Sequence, residues 1–106
     1  MADYLVQGKA IGDLNRLRAR LDDGEIAKMR PFGKSLDFSL HNARLERDGA
    51  VTWEENDYCT PPLAMERAAV LDQYFTDLRI EPVEKGAGWA QIENLPRLWP
   101  STSAAS

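Results

Sequence analysis

The chain is poor in the residues that most often carry metal and redox chemistry. Its 106 residues include one cysteine, Cys59, and one histidine, His41. A single thiol permits no internal disulfide and no multi-cysteine zinc motif. A lone histidine supplies no helix-borne ligand pair, so neither a metal nor a cofactor is expected. Positive charge is also short: 13 Lys and Arg against 17 Asp and Glu give a formal net charge of −4. That balance lacks the basic footprint needed for nonspecific binding to nucleic acid or to an anionic membrane. No apolar run approaches the length of a membrane span. The start, Met1-Ala2-Asp3-Tyr4, has neither the charged nor the apolar region of a signal peptide, and the expected location is cytoplasmic. No G-x-S-x-G, G-x-G-x-x-G, P-loop or H-E-x-x-H motif occurs.

Length allows one domain, taken as residues 1–100, with 101–106 as a disordered tail. The chain is organised around the stretch from Trp53 to Phe75. It holds the densest acidic run (Glu54, Glu55, Asp57), the only cysteine and the best amphipathic pattern. Thr60 is a suitable N-cap and Pro61 suits the first helical position, where its missing N–H costs nothing. Leu63, Val70, Leu71, Tyr74, Phe75 and Leu78 then recur at three- and four-residue spacing, which predicts a helix over about 61–78. Arg67 falls on that stripe, with its stem along the core edge or its head in a pocket. Glu66, Asp72, Gln73 and Asp77 fall on the solvent side.

Upstream, Tyr4 to Ala10 reads as a strand. Asp13 can cap a helix over about 13–23 with the stripe Leu14, Leu17 and Leu21, ended by Gly24 in a left-handed conformation. Pro31 and Gly33 mark a loop. Leu36, Phe38 and Leu40 alternate as a strand does, and the slip in phase before Ala43 and Leu45 predicts a β-bulge at His41-Asn42. A three-residue loop, Arg47-Asp48-Gly49, sets Leu45 opposite Val51 and keeps the buried face in register. Arg79 to Glu84 is a strand, an edge strand because it contains Pro82. Trp89 to Ile92 reads as one more short strand, and Leu95, Leu98 and Trp99 as a tail that packs down.

The order β-α-β-β-α-β over about residues 3–84 resembles the ferredoxin-like (split βαβ) arrangement, an α+β fold with two helices on one face of an antiparallel sheet. The small dimeric α+β-barrel proteins share that architecture, among them cofactor-free monooxygenases, lactone isomerases and binding modules. The resemblance rests on element order, and fold alone does not settle function.

If β-alternation continues past Trp53, Glu55 and Asp57 lie on the face that holds its indole. A carboxyl group against apolar walls has its charged form disfavoured and becomes available as general acid or base. The bland alternative ends the strand near Glu54 and leaves Asp57 in a solvated loop. His41, beside the expected bulge, is a proton shuttle, a metal ligand or a bystander. Cys59 is either a thiol activated by a helix start or a small buried apolar residue. Tyr58, Tyr74, Trp53, Trp89 and Trp99 supply either core and tail anchor or an aromatic pocket and interface. One sheet with both helices on one face leaves the other bare, which predicts a homodimer.

Two functions are expected. One is binding of a small organic ligand, an anionic one included, with Trp53, Cys59, Arg67 and Tyr74 around it and spare helix amides facing it. The other is cofactor-independent isomerase, lyase or oxygenase chemistry with Glu55, Asp57, Tyr58 and His41 as the reacting groups. A structural Glu55–Arg67 ion pair competes with both.

Overall fold

Four strands form a single antiparallel sheet: β1 (Ala2–Ala10), β2 (Arg44–Leu45), β3 (Val51–Asp57) and β4 (Phe75–Val83), in the order β2-β3-β1-β4. The structure, a computed structural model, describes residues 2–99. The fold is α+β. β1 and β3 are central, and Pro82 lies opposite Tyr4 on β4, an edge strand whose ladder can spare a donor. The 45–51 connection has the expected register. Leu45 pairs with Val51, the Glu46 N–H donates to Ala50 O at 2.7 Å, and Gly49 takes φ +91°, a left-handed value open to glycine.

Helix α1 (Leu14–Asp22) is capped by Asp13, whose side chain accepts from the Asn15 N–H at 2.9 Å, and it buries Leu17 and Leu21. Residues 33–41 form helix α2 (Gly33–His41), not the expected strand, and there is no bulge at His41-Asn42. The slip in phase is itself the helical signal. Leu36, Leu40 and Ala43 stand at i, i+4 and i+7 and are all fully buried, whereas Phe38, which completes the alternation, is 61% exposed. α2 packs against β3. The Ser39 hydroxyl donates to the Glu54 carbonyl at 2.7 Å.

The segment expected to be helical from 61 to 78 is helical only from 64 to 74, as α3 (Ala64–Glu66), a π turn (Arg67–Leu71) and α4 (Asp72–Tyr74). Thr60 makes no cap, the Thr60–Pro61 and Arg30–Pro31 peptides are cis, and the N-cap is Leu63 with φ +63°. Leu78 belongs to β4. Residues 87–92, expected as a strand, are helix α5 (Ala87–Ile92).

Cross-strand pairs share a face, so Val51, Trp53 and Glu55 lie with Gly8, Val6 and Tyr4 on one side of the sheet. There the main core forms, joining Val6, Val51 and Trp53 to Leu17, Leu21, Leu36, Leu40, Leu63, Val70, Leu71 and Phe75. The reverse face is not the bare one that two helices alone would leave. α5 packs on β3 and β1 there, with Leu5 and Ile92 buried, and the remainder carries exposed Lys9, Arg79 and Glu81. α5 thus covers part of the face expected to form a dimer. The tail packs down on the main core: the Trp99 indole donates to Leu40 O at 2.8 Å, under the Arg18 guanidinium at 5.5 Å. Residues 101–106 lie outside the described part.

Candidate functional site

The inward phase of β3 comprises Val51, Trp53, Glu55 and Asp57, and the last two are acidic. The strand runs on to Asp57, so Trp53, Glu55 and Asp57 all point into the main core side. Glu55 is 1% exposed; the Trp53 indole donates to its Oε1 at 3.1 Å. Asp57 ends the strand by capping the next turn of chain. Its Oδ2 accepts from the Cys59 N–H at 3.0 Å and from the Leu63 N–H at 2.6 Å, the latter holding Leu63 in its left-handed conformation. The helix then brings Glu66 to the same place, with no exposed surface and its Oε1 4.0 Å from Cys59 Sγ. One oxygen each from Asp57 and Glu66 and the Cys59 sulfur lie within 4.8 Å of one another. Oε2 of Glu55 and Oε2 of Glu66 are buried without a hydrogen-bond partner among the described residues.

This packing sets the electrostatics. Burial pushes Glu66 up to about 7, helped by a hydrogen bond to Asp57 that favours its protonated form. Glu55 is pushed well above the ordinary carboxylate range by burial and by the nearby Glu66, against the opposing bond from Trp53. For Asp57 burial also raises the pKa, but the hydrogen bonds from Leu63, Glu66 and Cys59 outweigh it and the net shift is downward. At Cys59 a main-chain bond from Met65 lowers the thiol pKa, yet desolvation and the two carboxyls leave it raised. The thiol is not activated. A carboxylic acid beside a carboxylate, with a neutral thiol at hand, is a proton-sharing cluster.

A cleft of about 290 Å³ opens onto this cluster, walled by Phe32 and Met65 with Ser35, Asp57, Tyr58 and Cys59 also lining it. A larger hollow of about 520 Å³ lies elsewhere, between Glu46, Asp48, Asp77 and Arg79. It is an open, charged groove; Lys9 and Asp77 beside it form only an exposed pair at 3.8 Å, and it adjoins none of the buried acids.

The other expected site residues scatter. Tyr58 is 72% exposed at the cleft mouth. His41 ends α2, bonded through Nδ1 to Asp37 O at 3.0 Å and lying 3.8 Å from Asp22, and it does not line the cleft. Tyr74 is buried in the core, where Arg20 donates to its hydroxyl at 3.1 Å. Arg67 is exposed and pairs with Asp72 at 3.2 Å, so the expected Glu55–Arg67 pair does not form. The π turn explains the exchange. One extra residue in the turn rotates the residues before it, so Glu66 takes the buried position between Leu63 and Val70 and Arg67 turns outward. Nothing in the sequence marks that turn. Phe32, Ser35 and Met65 are equally out of reach of sequence patterns, because residues 36–40 satisfy the alternation of a strand.

No family model matches the chain, and no curated protein or solved structure is significantly similar to it.

Proposed function

We propose that the protein binds a small organic ligand in the cleft between Phe32, Met65 and the end of β3. The carrying observation is the coincidence of an apolar-walled cleft with a buried carboxylate, Asp57, at its floor. Pockets of this kind hold the ligand body by apolar contact and its orientation by a few polar groups. The amides expected to favour an anion are already taken by Asp57. A ligand that offers a cation or hydrogen-bond donor to Asp57 suits the floor, and Lys34, which also lines the cleft, can meet an acceptor on the same ligand. The strand order supports reading the sheet and the 14–22 and 64–74 helices as a ferredoxin-like core, with α2 and α5 added to it.

The catalytic alternative narrows from Glu55 and Asp57 to Asp57. Glu55 is sealed and tied to Trp53, whereas Asp57 lines the cleft beside Tyr58. Nuclear magnetic resonance with a panel of small amines and guanidines tests the binding reading. Ligands are expected to shift the amides of Asn56, Tyr58, Cys59 and Met65, and more weakly in Tyr58→Ala, an exposed substitution harmless to the fold. Shifts confined to the Glu46–Arg79 groove, or none from any compound, contradict the reading.

A further inference from the structure

The geometry points to a divalent transition-metal site at the floor of the cleft, with Asp57, Cys59 and Glu66 as protein ligands and a fourth position facing the cleft. Three donor atoms converge within 4.8 Å. Zinc–sulfur and zinc–oxygen bonds of about 2.3 and 2.1 Å would set tetrahedral S and O donors about 3.6 Å apart, close to the 4.0 Å between Cys59 Sγ and Glu66 Oε1. The second observation is Glu66 itself. It is completely buried, its carboxyl faces the thiol, and no N–H donor reaches Oε2 among the described residues, so its only carboxyl partner is Asp57, itself one of the three converging groups. A buried carboxyl group either keeps its proton or, once ionised, is paired with a cation or coordinated; a metal ion would replace the proton that Glu66 keeps in the metal-free protein. Here the nearest candidate base on the helix, Arg67, is turned to solvent and engaged by Asp72.

The surroundings resemble a supported ligand set. Asp57 is held in place by main-chain donors to Oδ2, and a bound ion would take the place of the protons that Glu66 and Cys59 now turn toward its carboxylate. Leu63, buried and left-handed, holds the helix start against that carboxylate. Asp57 and Cys59 border the cleft, so a bound ion would keep a position reachable by water or ligand. One thiolate with two carboxylates selects a borderline ion such as Zn²⁺ over Mg²⁺ or Ca²⁺, which prefer all-oxygen shells. This inference goes beyond the organic ligand and stands or falls without it.

The test is a titration of chelator-treated full-length protein with Co²⁺, the spectroscopic stand-in for Zn²⁺. One equivalent should bind saturably and give a thiolate-to-cobalt charge-transfer band with the visible bands of a tetrahedral ion. Cys59→Ser should abolish the charge-transfer band, and Glu66→Gln should weaken binding at least tenfold, with circular dichroism confirming that both fold. The wild-type spectrum decides even if a variant fails to fold. Absence of saturable binding or of the thiolate band overturns the site, as does affinity unchanged in folded Cys59→Ser.

Discussion

Glu66 and Arg67 are neighbours in sequence with opposite fates, and each gives a prediction. Glu66 has a folded-state pKa raised to about 7 from an ordinary 4.5. The fold thus prefers its protonated form. Its stabilising contribution is complete below about pH 4.5 and is lost as pH rises through 7. Glu55, raised in the same direction, adds to that slope, while Asp57, lowered, acts oppositely and only at more acidic pH. In metal-free protein, the melting temperature of Glu66→Gln should therefore fall less between pH 5 and 8 than that of the wild type. Parallel curves would mean that Glu66 is solvated. Arg67→Ala should change stability by no more than about 0.5 kcal/mol in urea unfolding, since exposed ion pairs contribute little; a loss above about 2 kcal/mol would place Arg67 in the core after all. At this scale the sequence is readable where a strict period applies. Alternation from Val51 through Trp53 puts Glu55 and Asp57 on the inward face. It misleads at Glu66, where both i+3 and i+4 from Leu63 fit a helical stripe and the π turn selects the acid.

At the scale of elements, Glu54 shows how α5 is held without an apolar run long enough to announce it. The carboxylate of Glu54 accepts from Gly86 N–H at 2.9 Å and Trp89 N–H at 3.1 Å, capping the short helix across the sheet. Gly88 sits against it so closely that a Cβ there would lie 2.9 Å from Glu54 Oε1. Glu54→Ala should cost about 0.5–2 kcal/mol, the usual range for losing a helix cap, and should raise amide hydrogen exchange over 86–92 before the rest of the chain. Uniform exchange would show that α5 docks by its apolar contacts alone. Gly88→Ala should act in the same direction. This helix is hidden in the sequence because its capping carboxylate lies 32 residues away, and the short run from Trp89 to Ile92 fits a strand as well as one helical turn. α2 is hidden for a different reason. Leu36, Phe38 and Leu40 satisfy period two locally, and only Ala43, brought in from beyond, reveals the helical step. The Gly49 hairpin, by contrast, needs nothing outside its own short stretch of chain.

For the whole molecule, α5 and a charged remainder cover the sheet face that β-alternation alone leaves open, and the large apolar side chains still exposed are Ile11, Phe38, Tyr58 and Met65 among the described residues. Single exposed apolar groups are normal on monomers. Light scattering at high micromolar concentration should accordingly return a mass near the 11.9 kDa of one chain. A stable dimer would redirect attention to the exposed Tyr58 and Met65 at the cleft. The core, the π turn and the end of β3 meet at the carboxyl group of Glu66, which is buried beside Asp57 and Cys59 behind the cleft. A carbon-detected titration of that side chain in metal-free protein measures it directly. The account predicts a midpoint near 7; a midpoint near the 4.5 of a solvated glutamate would contradict the buried cluster and the site built on it.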